Sequence, residues 1–373
     1  MTTLSDAQHL GIIICSIFSG TLSIIGSGIV LKIARTRLPR ATSGIRLVVG
    51  MSVADLLFSV NAILINFLRP QYLDIPGAIG NTASCSFVGF VTTSLLSTVA
   101  LYSLCISGNT FLVACRGWRE NETLKWEKWG QWIAWLLPLS HSIPALATGS
   151  INPIEFDQIC LYESYPIGCN SNDEIDCERG EPAILLGTVL VAMIVIPTII
   201  SCYFTIQVYR NFKQTIHRVT RYSFAGSSSS LATEKRVEIV QWQTIRYTIA
   251  YLNTIVWSMA SLIVATVVEN TDNLYWLRLC TAFFYPLQGV LFCFIFCMPS
   301  IHSWRNASPD SSLLEILRFI IIENQSTPPS AVSSRLVKNR SNLSRLSTDD
   351  TNGQGLSKEQ TVPDESTRHG DDT

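Results

Sequence analysis

The sequence predicts an all-α membrane protein: a seven-transmembrane helix bundle, N-terminus outside and C-terminus cytoplasmic, with a disordered tail. Three observations predict it. Only 15% of the 373 residues are charged and 47% are hydrophobic, against about 25% charged in a soluble domain. Seven stretches are uncharged or nearly so, each long enough to cross about 30 Å of hydrocarbon at about 1.5 Å per residue. Lys and Arg gather in alternate connections between these stretches, which marks the cytoplasmic side.

In chain order, residues 1–9 form a short extracellular N-terminus without Lys or Arg. A secretory leader would open on basic residues, so the first apolar stretch is expected to stay as a span. The membrane domain 10–305 holds spans at about 10–33, 45–68, 82–115, 130–149, 182–209, 242–268 and 275–298. One set of connections carries Lys32, Arg35, Arg37, Arg40 and Arg46, then Arg116, Arg119, Lys125 and Lys128, then Arg210, Lys213, Arg218, Arg221, Lys235 and Arg236. The alternate set has only Arg69 and Arg179, with Arg278 just inside the last span, and is acidic instead.

The third span is the one around which the others are expected to pack. It is overlong, and it carries Thr92, Thr93, Ser94, Ser97, Thr98, Tyr102, Ser103, Ser107, Asn109 and Thr110. Lipid gives such groups no partner, whereas neighbouring helices do. At its outer end stands Cys85; the outer connection 149–182 adds Cys160, Cys169 and Cys177. In an oxidising compartment these form disulfides, with three pairings open. Cys169 and Cys177 are close enough in sequence for a local loop, which favours Cys160 as the tether to Cys85. The other cysteines mostly sit inside apolar runs and read as small buried hydrophobes.

Asp55 is the acidic residue inside a hydrocarbon segment. It reads as a polar relay or cation site, or as a structural hydrogen-bonded group; both readings turn it inward with Ser52, Ser59 and Asn66. In span six, Asn253, Trp257 and Ser261 recur at helical spacing and are expected to form an inward polar-aromatic stripe. With Asn109 in span three and Gln288 in span seven, Asp55, Asn253 and Trp257 make up the expected intramembrane polar core. Pro138, Pro144, Pro197 and Pro286 lie inside spans and permit kinks. His141 reads as a packed neutral histidine.

No enzyme is expected. There is no phosphate loop, no metalloprotease motif and no nucleophile elbow, and the five histidines are scattered, so no metal, cofactor or nucleic-acid partner is expected. After span seven, residues 306–323 read as an amphipathic membrane-surface helix opened by Pro309-Asp310-Ser311-Ser312. Residues 324–373 are Ser/Thr-rich and are expected to be a disordered cytoplasmic tail.

Span seven contains Phe284-Tyr285-Pro286-Leu287-Gln288-Gly289. This resembles the Phe-x-Pro-Leu-Gln-Gly pattern of cyclic-AMP-receptor-like G-protein-coupled receptors, relatives of the secretin-like (family 2) group. Met51-Ser52-Val53-Ala54-Asp55-Leu56, Arg116-Gly117-Trp118-Arg119-Glu120 and Cys160-Leu161-Tyr162 are similar to that group's span two, span-three exit and second outer loop. The last match implies the Cys85–Cys160 pairing. The sequence departs from related receptors where Cys115, not an acid, precedes Arg116, and where residues 1–9 replace a hormone-binding domain.

The resemblance implies a plasma-membrane, multi-pass receptor that carries the signal of a small extracellular ligand, of unknown identity, to a heterotrimeric G protein. Arg116, Arg210, Lys213, Lys235 and Arg236 would meet that partner. Kinase or arrestin-like proteins would act at the tail, and the lipid bilayer surrounds the bundle. The alternatives are a seven-span transporter or channel using Asp55, and a ligand-less membrane scaffold.

Overall fold

The computed structural model describes residues 5–37, 41–73, 75–154, 159–166, 169, 176–222, 228–267, 275–308 and 311–322. The expected tail lies outside the described residues. So do the side chains of residues 215–241, and with them those of Lys235 and Arg236. What is described is almost wholly helical: α1 (Asp6–Arg37), α2 (Ser43–Phe67), α3 (Thr82–Arg116), α4 (Glu120–Ala147), α5 (Ala183–Tyr222), α6 (Ser228–Val267), α7 (Tyr275–Phe284), α8 (Gln288–Ala307) and α9 (Leu313–Ile321). Between α4 and α5 stands an antiparallel hairpin of β1 (Ile151–Pro153) and β2 (Cys160–Tyr162).

Side-chain pairs give the directions. Asn66 meets Ser16 and Ser59 meets Ser23, so α1 and α2 run antiparallel. Asn61 reaches Thr92 on α3, and Trp135 of α4 donates to the Tyr102 hydroxyl at 2.9 Å. Ser103 pairs with Ser201, and Asn211 donates to the Ala114 carbonyl, so α5 runs with α3. Thr198 pairs with Tyr251, and Thr205 with Thr248, which sets α6 against α5. The described long helices thus form an up-and-down bundle in which α7 and α8 share the last column.

By length and composition, α1, α2, α3 and α5 can each cross a membrane, and the bent pair α7–α8 makes a fifth candidate. This is a helical multi-pass membrane protein. α4 is not among these candidates: Gln131, Ser140, His141 and two prolines dilute its apolar stretch. Part of α6 lies outside the described side chains.

α3 is the hub; it touches α2, α4, α5, α6 and both strands. Its ends are set locally. Asn81 accepts from the Ser84 N–H at 2.9 Å while Ser84 accepts from the Asn81 N–H, a reciprocal cap. At the other end Gly117 adopts φ 69°, a left-handed conformation that stops a helix and favours glycine. Polar groups along α3 that lipid would strand, among them Thr93, Ser97, Thr98, Ser103, Ser107 and Thr110, are buried.

The last column breaks where Pro286 sits: α7 ends at Phe284, α8 starts at Gln288, and the two axes differ by 43°. Proline lacks the N–H that would bond the carbonyl four residues back, and that carbonyl belongs to Ala282. Ser19 of α1 donates to it instead, at 3.1 Å. The Gly289 N–H turns to Ser23 Oγ at 3.0 Å. A Cβ on Gly26 would stand 2.8 Å from the Gly289 carbonyl oxygen, so glycine at both positions lets α1 and α8 touch backbone to backbone.

Within the stretch 306–323, residues 306–307 end α8, and α9 is a separate short helix. Ser312 caps it through the Glu315 N–H. Ile316 and Ile320 are buried, and Phe319 stacks on Trp304 of α8 at 5.0 Å.

Candidate functional site

Two polar regions lie inside the bundle, one between α1, α2 and α8 and one between α2, α3, α6 and the break. In the first, Ser16, Ser19, Ser23 and Ser27 repeat every three or four residues along one buried face of α1. Ser59 donates to Ser23 Oγ at 2.8 Å and also to the Asp55 backbone carbonyl. One turn further along this antiparallel pair, Ser27 comes level with Asp55. Asp55 is 2% exposed, and its Oδ2 is buried without a hydrogen-bond partner, as is Ser27 Oγ. A charge there would be costly without a partner.

In the second region, Phe58, Leu96, Val99, Tyr251, Thr254, Ile255, Tyr285 and Gln288 line a small gap. It has room for about one water. Thr254 donates to Gln288 Oε1 at 3.2 Å, while Gln288 Nε2 has no protein partner. Tyr285 meets Phe58 edge-on at 4.7 Å. One turn nearer the hairpin, Trp257 stacks on Phe284 at 5.3 Å, and its indole N–H is buried without a partner.

The hairpin closes one end of the bundle. Cys85 bonds Cys160 and Cys169 bonds Cys177, the pairing favoured from sequence. Ser86 of α3 donates to the Ile151 carbonyl at 2.8 Å. Tyr162 lies 3.1 Å from His141 Nδ1, and His141 Nε2 lies 3.0 Å from the Leu186 carbonyl. A carbonyl only accepts, so Nε2 carries the proton and Nδ1 of the neutral ring accepts from Tyr162. Burial raises the ionisation of the Tyr162 phenol above its ordinary range, with hydrogen bonding to Thr93 and Ser142 opposing. It therefore remains a neutral donor near pH 7.

At the opposite end Arg116 is exposed, its guanidinium 5.9 Å from the Phe111 ring, which stacks on Phe204 of α5. Arg210 and Lys213 are exposed on the same end of α5. Thr110 and Thr244 are 2.7 Å apart and join α3 to α6 there.

Of the expected polar core, Asp55, Asn109 and Gln288 are buried, and Trp257 is half-buried with its N–H enclosed. Asn253 is a correction: it is exposed on the outer face of α6. The inward stripe is set by Tyr247, Tyr251, Thr254 and Ser261, and Asn253 is one residue out of phase with Thr254, about 100° around the helix. Asn109 lies apart from Asp55, beside Gly44 near the Arg116 end.

Sequence reasoning missed the α1 serines, although their spacing was visible. It also took Arg46 for a loop charge. Arg46 reaches into the bundle and holds Glu127 of α4 through two hydrogen bonds, of 2.7 and 2.6 Å. Glu127, set between Lys125 and Lys128 and beyond the first-turn acids Glu120 and Glu122, was the available signal. Among the described residues no group of three or more His, Cys, Asp or Glu could hold a metal ion.

In comparisons with known proteins, no family model and no curated sequence matches this chain.

Proposed function

We propose that the chain is a seven-span receptor of the G-protein-coupled type, with the hairpin end outside the cell and the Arg116 end in the cytoplasm. On this reading α4 and α6 also span, with His141 turned to α5 and Gln243 to α8. The observation that carries the reading is α3. One helix is bonded through Cys85 to the hairpin and, at its far end, to α5 through Asn211 and to α6 through Thr110 and Thr244. A ligand held under the hairpin would therefore bias contacts at the inner ends of α5 and α6. Hydroxyl pairs suit that task, because each has other partners within reach and the bundle can rest in two states of similar free energy.

The ligand would be small and would enter between α3, α5, α6 and α7, above Trp257 and Phe284. The G protein would meet Arg116, Arg210 and Lys213. Basic residues at that end are accounted for equally by topology and lipid headgroups, so Arg116, which ends α3, is the informative one. The test is guanine-nucleotide exchange on co-expressed heterotrimers while small extracellular metabolites are screened. A ligand-dependent rise supports the reading; none with any heterotrimer opposes it.

A second reading has one observation in its favour. The buried, unpartnered Asp55 carboxylate oxygen suits a transporter or channel. Asp55-dependent ion flux into sealed vesicles, without nucleotide exchange, would select it.

A further inference from the structure

Asn253 occupies an unusual position. Thr254, its neighbour, bonds Gln288, and Gly289 next along bonds Ser23 at the level of Ser59. Asn253 is therefore at the depth of Asp55 and its neighbours, near the middle of the bundle, yet it faces outward. Three outward hydroxyls on other helices satisfy themselves. Thr21 donates to the Ile17 carbonyl, Ser140 to that of Leu137 and Thr188 to that of Ile184. The Asn253 amide makes no such bond, and hydrocarbon offers it none.

Its surroundings repeat in a particular way. Ile249, Asn253, Val256, Ala260 and Ile263 follow one another at four, three, four and three residues along α6. Ile249, Val256 and Ile263 are 59%, 54% and 61% exposed. A four-three alternation is the seam of a coiled coil, and in it Asn253 falls at an a position, where a single asparagine sets register and partner number. Ala260, one heptad on, is small enough for close approach. At the cytoplasmic end the stripe stops at Arg246, which is drawn aside onto Trp242 and Met298.

We infer that this face of α6 is the interface of a symmetric, parallel homodimer in the membrane, keyed by Asn253 of each copy. A carboxamide carries both donors and an acceptor. Across a two-fold axis it meets its own image, and two reciprocal N–H···O bonds satisfy both copies. An apolar lipid chain satisfies neither, which is why a second copy is the occupant. The inference rests on α6 being a span.

The test uses the full-length protein in lipid vesicles. Energy transfer between differently labelled copies is followed as the protein-to-lipid ratio falls. Asn253→Leu should weaken association about three- to thirty-fold, the range of one interhelical polar contact in a membrane, while Asn253→Gln should retain most of it. Asn253→Cys should add an intermolecular crosslink under mild oxidation, above the background of the native cysteines. Unchanged association in Asn253→Leu overturns the inference, as does a wild-type protein that stays monomeric at every ratio. Labelling of Asn253→Cys by a membrane-impermeant maleimide removes the span itself, and the interface with it. Protection from that reagent without association removes the interface alone.

Discussion

Ser19 of α1 donates its hydroxyl to the carbonyl of Ala282, 3.1 Å away, which is the acceptor that Pro286 leaves without an N–H. The break in the last column is thus completed from another helix. Ser23, one turn on, takes the Gly289 N–H. A kink required by proline becomes a fixed joint because α1 supplies the missing partners, as polar side chains do where backbone is exposed within a membrane.

Ser19→Ala and Ser23→Ala should each lower stability by about 0.6–1.7 kcal/mol per hydrogen bond removed. Ser23→Ala should cost more, since Ser23 serves both Ser59 and Gly289. Gly289→Ala should cost about 1–3 kcal/mol by overpacking, because a Cβ there meets the Ser23 and Ser27 hydroxyls. Thermal unfolding in one detergent orders the three variants. Equal Tm values for Ser23→Ala and wild type would remove the joint.

Cys85→Ala and Cys160→Ala should impair surface expression equally, and the double variant no further, because both delete one bond. Removing Cys169 should matter less. Its partner is 8 residues away, against 75 for Cys85 and Cys160, and a shorter closure restrains the unfolded chain less. Full expression of either Cys85→Ala or Cys160→Ala sinks the tether.

Arg46 and Glu127 form an ion pair in which Glu127 is 7% exposed and Arg46 26%. Arg46→Leu strands the buried carboxylate. Its cost should exceed the roughly 0.2–1 kcal/mol of a surface pair and approach the roughly 3–5 kcal/mol of a buried one. Arg46→Leu with Glu127→Leu should recover much of the loss. A double variant as unstable as Arg46→Leu would mean that packing, not charge, joins α2 to α4.

Much of the bundle was legible because charge cannot be hidden in hydrocarbon: Arg116 and Arg210 mark one end of α3 and α5, and Cys85, Cys160, Cys169 and Cys177 pair at the other. Helix lengths were less legible. α5 and α6 continue to Tyr222 and back to Ser228, past the apolar limits, because hydrogen bonding does not stop where hydropathy does. Contacts between helices were hidden for a different reason. That Ser19 would serve Ala282, 263 residues away in sequence, depends on how α1 lies against the break. The misplacement of Asn253 was a phase error. Its spacing to Trp257 and Ser261 is helical, but the inward direction is chosen by Tyr247, Tyr251 and Thr254, which pack on α5 and α8.

The most direct measurement places the full-length protein in sealed vesicles with a heterotrimeric G protein and follows nucleotide exchange and ion flux together. The receptor account predicts faster exchange when a ligand is present, loss of that acceleration in Arg116→Ala at unchanged Tm, and no flux. Flux that Asp55→Asn abolishes, with exchange unmoved across every heterotrimer and ligand tried, would contradict it.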